Sequence, residues 1–402
     1  MSSAAVPALP RAFWLVWVGT LINRTGQFVE PFLVLYLTSQ RGFSPAHAGV
    51  ALTIFGAGAA VSQILGGWLT DHVGRRPTLA AGMVVCAFSN LALGAARGFP
   101  LICLAALVAG IGSDLYRPAS AALVADLVGP EQRRRAFGLL FWAVNLGFSV
   151  ASVSAGFLAE RGYTLLFVLD AATCLVYAGI IWWGLAADPP RPSSSEASVD
   201  TGPPAGYRTA LHDRLMMAIV GLTILGATVY MQIDNTLPLA IVGHGLSTST
   251  YGLVAALNGV LIVVLQPLAV RVLDRFDALR VLAAGYLLLG LGFGLTAFAS
   301  TLLGFAGTVV VWTLGEIATA GLLSALVADL APVEARGRYS AVWGTSFGIS
   351  SMLAPAIGTV TYQYLGPDVL WAGCLVVGVV TAAGFLALRP AIARRTGALR
   401  SG

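Results

Sequence analysis

Twelve runs of mostly apolar residues fill the chain, near 12–37, 46–70, 78–97, 100–127, 136–160, 163–187, 213–240, 248–273, 279–300, 301–330, 339–365 and 367–389. About 20 such residues in a row span the hydrocarbon core of a bilayer as a helix. The pattern predicts an all-α integral membrane protein with twelve spans. The long runs at 100–127 and 301–330 imply tilt or extension beyond the bilayer. Composition agrees. Only 10% of the 402 residues are charged and 57% are hydrophobic, against about 25% charged in soluble domains. A water-soluble globular protein is excluded. The 47 Gly suit close helix packing in lipid.

All 23 basic residues are Arg. Without Lys there is neither a Walker A phosphate loop nor Schiff-base catalysis. The net charge of +5 does not indicate nucleic acid, because the Arg residues lie in short loops between apolar runs. Cys86, Cys103, Cys174 and Cys374 sit inside apolar stretches at unrelated spacings, and read as buried packing rather than disulfides or zinc ligands. No HExxH or GxSxG occurs, and His47, His72, His212 and His244 fall in or near loops. No enzyme, metal site or cofactor is expected. Uncharged residues 1–10, followed by a run holding Arg24 and Glu30, make a poor signal peptide, so the first run is expected to stay as a span.

With the N-terminus inside, 18 of the 23 Arg fall on cytoplasmic segments. Arg41, Arg97 and Arg161 lie opposite, and Arg24 and Arg117 lie within spans. That bias predicts both termini in the cytoplasm of a cell-membrane protein. The Pro- and Ser-rich stretch from Asp188 to Asp213 reads as a cytoplasmic, poorly ordered linker. The expected layout is a six-helix bundle over 1–187, a linker over 188–212, and a second bundle with a short tail over 213–402.

The halves repeat. Ala122–Leu127 recurs as Ala325–Leu330, an offset of 203. The same offset pairs Gln63 with Gln266, Asp71 with Asp274, Gly82 with Gly285, Glu131 with Glu334, Arg133 with Arg336 and Arg135 with Arg338. Six spans per half keep corresponding helices in one orientation, so the repeat is parallel. Such pairs place a solute site at the repeat interface near midplane and alternate access by rocking.

After the second span comes Gly67-x-x-x-Asp71-x-x-Gly74-Arg75-Arg76, with a degraded partner at Asp274-Arg275 and Arg280. Here Gly67 would let helices approach, Gly74 would allow a tight turn, and Asp71 would cap a helix or pair with Arg. The motif resembles the loop signature of the major facilitator superfamily. That resemblance implies two six-helix pseudo-symmetric bundles. It also implies a charge relay that includes Asp126 on the fourth span, with Asp329 as its counterpart. Gln232-Ile233-Asp234-Asn235-Thr236-Leu237-Pro238 and Trp312-Thr313-Leu314-Gly315-Glu316-Ile317 resemble the drug/proton antiporter branch, LmrP-type multidrug transporters especially. In that branch the matching acids serve proton coupling and cation recognition. Three departures stand out. The fifth span reads Leu140-Phe141-Trp142 where an acid is usual. Its antiporter signature is degraded to Gly147-x-x-x-Ala151-Ser152-x-x-Ala155-Gly156, although the eleventh span keeps Ala354-Pro355-x-x-Gly358. The fourth-span Arg is displaced from near Ala106 to Arg117.

An ionised side chain at a helix centre costs about 2.5–3.5 kcal/mol on insertion scales. Seven candidates fall inside spans: Arg24, Glu30, Asp114, Arg117, Asp170, Asp234 and Glu316. All but Asp170 lie on spans one, four, seven and ten, which line the cavity in the resembling family. Glu316 has no opposite charge within a turn, and burial makes its charge costly, which suits a proton carrier. Asp234 suits an outer gate or substrate contact. Asp114 and Arg117 are spaced to pair, and Pro118 to kink the helix after them. Asn23, Gln27 and Glu30 at i, i+4, i+7 suggest a polar stripe facing a cavity. Asp170 reads as structural. The expectation is a monomeric, proton-coupled exporter of lipophilic, cationic small molecules. The alternative is a carrier for a metabolite or for an organic anion held by Arg24 or Arg117.

Overall fold

The computed structural model describes residues 9–185, 207–273, 275–332 and 335–401. These are overwhelmingly helical, and no strand occurs among them. The chain divides into two compact units. One comprises Met1–Glu30 and Ile54–Pro189, the other Pro31–Thr53 and Pro190–Gly402. Most of the expected linker lies outside the described residues; its last part, Tyr207–His212, is a short helix.

Among the described residues, ten helices are long and apolar enough to cross a membrane. Their exteriors carry large apolar side chains, such as Ile64 at 80% and Leu303 at 82% exposure, a surface that lipid satisfies and water does not. The other two expected spans are helical but differ from the expectation. The first is interrupted: Arg11–Thr25 ends at Gly26 and the chain resumes as Val29–Leu35 and a π turn, Tyr36–Gln40. The eleventh, Arg336–Tyr364, is a continuous helix but carries Ser340, Thr345, Ser346, Ser350, Ser351, Thr359 and Thr361. Those hydroxyls lower its hydropathy. Ser346, Ser350 and Thr359 are fully buried, and Ser350 donates to the Ile224 carbonyl at 3.1 Å.

Among the described residues, spans one, four, seven and ten are broken, and they carry six of the seven candidate charges. The fourth splits into Phe99–Asp114 and Tyr116–Leu127. The seventh splits into Arg214–Tyr230, Gln232–Asn235 and Leu237–Gly243. The tenth splits into Leu302–Thr319 and Leu322–Leu330. Proline explains three of these breaks, because its ring frees and crowds the carbonyl four residues earlier. Pro31 frees that of Gln27, Pro118 that of Asp114, and Pro238 that of Asp234. The tenth breaks at Gly321, whose φ of +79° few other residues adopt. In the first span the break is held by Asp170, 3% exposed. Its Oδ2 accepts from the Phe28 and Val29 amides at 3.2 and 3.1 Å. A buried carboxylate thus satisfies amides that the interruption orphans, the structural role expected of Asp170.

Within each unit the third helix packs on the sixth. In the first unit Leu79, Met83, Tyr177 and Ile181 share a buried cluster; in the second Leu282, Tyr286 and Phe385 do so. A polar strap closes the ends of these pairs with roles reversed. Arg76 donates to the Trp182 carbonyl and lies over its ring, whereas Arg389 reaches back to Asp277 at 3.4 Å. A second strap joins Arg395 to Asp213 at 2.5 Å. Asp213 also caps the seventh span through the Leu215 and Met216 amides and accepts from Tyr339 at 2.8 Å.

Burial pushes the Asp213 carboxyl up, but the hydrogen bonds from Tyr339, Arg395 and Met216 outweigh it and hold it below its ordinary value. A lowered folded-state pKa stabilises the fold above the unfolded value, near 3.9, and loses that effect as pH falls through the folded one. Arg395→Ala is therefore expected to cost about 1–2 kcal/mol at pH 7. Thermal melts in detergent should show the gap from wild type shrinking below about pH 4.

Candidate functional site

In the first unit the helix breaks gather six polar side chains, and Gln63 of the second span joins them as a seventh. Arg24, 9% exposed, donates to Gln27 Oε1 and to the Tyr116 hydroxyl. Gln27 Nε2 donates to Glu30 Oε2 at 2.5 Å. Arg117 pairs with Asp114 at 2.6 Å, and Asp114 also accepts from Gln63 Nε2 at 3.2 Å. Glu30 lies within electrostatic reach of Arg24, Asp114 and Arg117, so two acids and two arginines balance one another. The stripe of Asn23, Gln27 and Glu30 presumed an unbroken helix. With the break at Gly26, Gln27 and Glu30 chain to Arg24, while Asn23 turns to the sixth span and donates to Cys174 Sγ at 3.2 Å. All four line one small cavity.

In the second unit the acid is partnered by neutral groups. Asn258, 2% exposed, donates to Glu316 Oε2 at 2.8 Å and to Thr313 Oγ1 at 3.1 Å. Tyr230 also lies beside Glu316. No salt bridge to Glu316 occurs among the described residues. Asp234 accepts from the Tyr251 hydroxyl at 3.2 Å, and Tyr230 lies within electrostatic reach of both acids. Asn258, Tyr251 and Gln63 escaped the sequence reading. Each sits among apolar neighbours on its helix, and its partner is 58, 17 or 51 positions away. Among the aromatics, Trp312 is fully buried and Phe141 and Trp142 are over 40% exposed. Tyr116 and Tyr230 touch the charges.

The loop motif is partly assembled. Gly74 has a φ of +112°, which explains the Gly. Arg75 pairs with Asp126 at 2.5 Å, and Asp71 is exposed at the end of the second span. The close approach expected of Gly67 is made by its neighbour. A Cβ on Gly67 would meet nothing within 4 Å, whereas one on Gly66 would lie 2.7 Å from the Leu115 carbonyl oxygen. Asp274 lies outside the described residues. Asp329 is exposed and makes no salt bridge among the described residues. At the repeat offset, Ala278 stands where Arg75 does.

The sequence profile of the Major Facilitator Superfamily matches residues 16–248 and 235–401. The chain belongs to that superfamily. This transporter is similar to the uncharacterized MFS-type transporter YttB of Bacillus subtilis (strain 168), at 25% identity over 93% of this chain and 94% of the relative. It is similar to a Na(+), Li(+), K(+)/H(+) antiporter of Planococcus maritimus, at 25% identity over 83% and 85%. The multidrug resistance protein MdtH of Aeromonas salmonicida (strain A449) is 27% identical over 91% and 92%. The fold matches that of a POT family transporter solved with 5-aminolevulinic acid, with a TM-score of 0.80 at 16% identity over 95% of this chain and 97% of that one. The transporter is thus an all-α membrane protein of the major facilitator fold, moving a small molecule.

Proposed function

We propose that the transporter is a proton-coupled exporter of lipophilic, cationic small molecules. It works by rocker-switch alternating access in the cell membrane, as a monomer with both termini in the cytoplasm. The observation that carries this reading is Glu316, a carboxylate in a membrane span held by Asn258 at 2.8 Å, with Tyr230 beside it. Without a cation beside it, its negative charge is costly in lipid. A proton from one side or a cationic solute from the other relieves that cost, and only one at a time can do so. Competition of this kind is antiport. Asp234, beside Tyr251, is the second acid on the path. The first unit, with its charges balanced, serves as the fixed partner. The Arg75–Asp126 pair secures its cytoplasmic end. Energy comes from the proton gradient, since the chain has no P-loop Lys. The names of the relatives, multidrug resistance and cation/H(+) antiport, support efflux and exchange.

A second reading has one observation in its favour. Arg24 donates to neutral partners, and its Nε has no hydrogen-bond partner among the described residues, which suits a carrier of an organic anion. A panel of growth inhibitors separates the two readings. Cells expressing wild type are expected to tolerate lipophilic cations at severalfold higher concentration than empty-vector cells, and Asp234→Asn to lose that tolerance. Well-expressed wild type that protects against no compound would favour the anion carrier.

A further inference from the structure

Three sulfur-bearing side chains line one cavity of the first unit, the cavity that Arg24, Gln27 and Glu30 also line. Met83 and Cys86 lie a turn apart on the third span, Cys174 on the sixth, and their exposures are 0%, 7% and 0%. The cavity they share is about 20 Å³, room for a single water-sized occupant. Cys86 and Cys174 belong to one buried cluster. Each also has an amide donor: Asn23 Nδ2 at 3.2 Å from Cys174 Sγ, and Asn90 Nδ2 at 3.8 Å from Cys86 Sγ. The Cys174 thiol donates to Asp170 Oδ1 at 3.6 Å.

Packing alone does not require this set. At the repeat offset the second half places Tyr286, Leu289 and Val377, so the other third-and-sixth-helix pair uses no sulfur there. The proposed transport path uses none of the three either. We propose that Met83, Cys86 and Cys174 form a binding site for one soft monovalent cation, Cu(I) or Ag(I), that clips the third span to the sixth. Thiolate and thioether ligands select such ions, whereas structural zinc takes four ligands. The amides of Asn23 and Asn90 donate to the sulfurs as outer-shell partners that stabilise thiolates. On binding, two S–H bonds break and two sulfur–metal bonds form. Met83 adds a lone pair without losing a proton, and nothing is oxidised or reduced. Two protons leave to solvent, that of Cys174 by way of Asp170.

The test titrates Cu(I) into the purified full chain, reduced and without oxygen, against the chelator bicinchoninate. One Cu(I) per chain is expected, bound at least about tenfold more weakly in Cys86→Ser and in Cys174→Ser. The Cys103→Ser, Cys374→Ser double variant should bind like wild type, and Cu(I) should raise the melting temperature of wild type but not of Cys86→Ser. X-ray absorption of the wild-type complex, which depends on no variant folding, should show a shell of sulfur alone. A nitrogen or oxygen shell, equal binding by a folded Cys86→Ser, Cys174→Ser double variant, or no Cu(I) held by folded wild type would overturn the proposal.

Discussion

Glu316→Gln is expected to abolish proton-driven transport while leaving a folded protein. The amide oxygen of Gln can still accept from Asn258, which now bonds Glu316 at 2.8 Å, and Gln fills nearly the same volume. The ionisable group alone disappears. A buried neutral amide with its hydrogen bond intact costs little, whereas a carboxylate in lipid is kept at a cost of a few kcal/mol. That cost marks a functional group. In inverted membrane vesicles, ethidium uptake driven by an imposed pH gradient should fall at least about tenfold, an effect of 1.4 kcal/mol or more. The residual uptake should not respond to the gradient. A variant keeping half of the wild-type, gradient-dependent rate would place coupling elsewhere, and Asp234 would become the leading candidate.

Gly315→Val is expected to be the most destabilising single change near the site. A Cβ at Gly315 would lie 2.4 Å from the Gly285 carbonyl oxygen and 2.7 Å from the Leu289 amide nitrogen. Helices nine and ten therefore touch backbone to backbone, and no rotamer change relieves the clash. Overpacking costs about 1–3 kcal/mol when side chains can yield, and more when they cannot. The helix would have to move, taking neighbouring Glu316 with it. Fluorescence-detected gel filtration should show little monodisperse protein. Gly307→Val, on the same helix, is the control: its Cβ would meet nothing within 4 Å, and it should behave like wild type. The first half repeats the arrangement, since Gly112 would bring a Cβ to 2.8 Å from the Cys86 Cα.

The spans, the repeat and the intramembrane acids are legible in sequence because hydropathy and a fixed offset record them directly. The breaks are legible only in hindsight. Gln27, Asp114 and Asp234 each stand four residues before a proline, yet Pro267, Pro355 and Pro390 sit inside unbroken helices. Tertiary partners decide the outcome, as when Asp170 caps the amides exposed at Phe28 and Val29. The same break interrupts the helix that the stripe of Asn23, Gln27 and Glu30 assumed, at 100° per residue throughout, although all three line one cavity. Gly66 and Gly67 cannot be told apart by composition, because only the helix rotation says which faces Leu115. Asn258 and Tyr230 were invisible as partners of Glu316, since no local spacing links residues on different helices.

The central claim is that an outward step of a cation is exchanged for an inward proton. The most direct measurement uses purified transporter in proteoliposomes with a pH-sensitive dye in the lumen and no imposed gradient. Adding a lipophilic cation such as tetraphenylphosphonium outside should drive proton movement out of the lumen and raise its pH, with no change in vesicles holding Glu316→Gln. Cation accumulation with no change of luminal pH, or a pH change of equal size in the variant, would contradict the account.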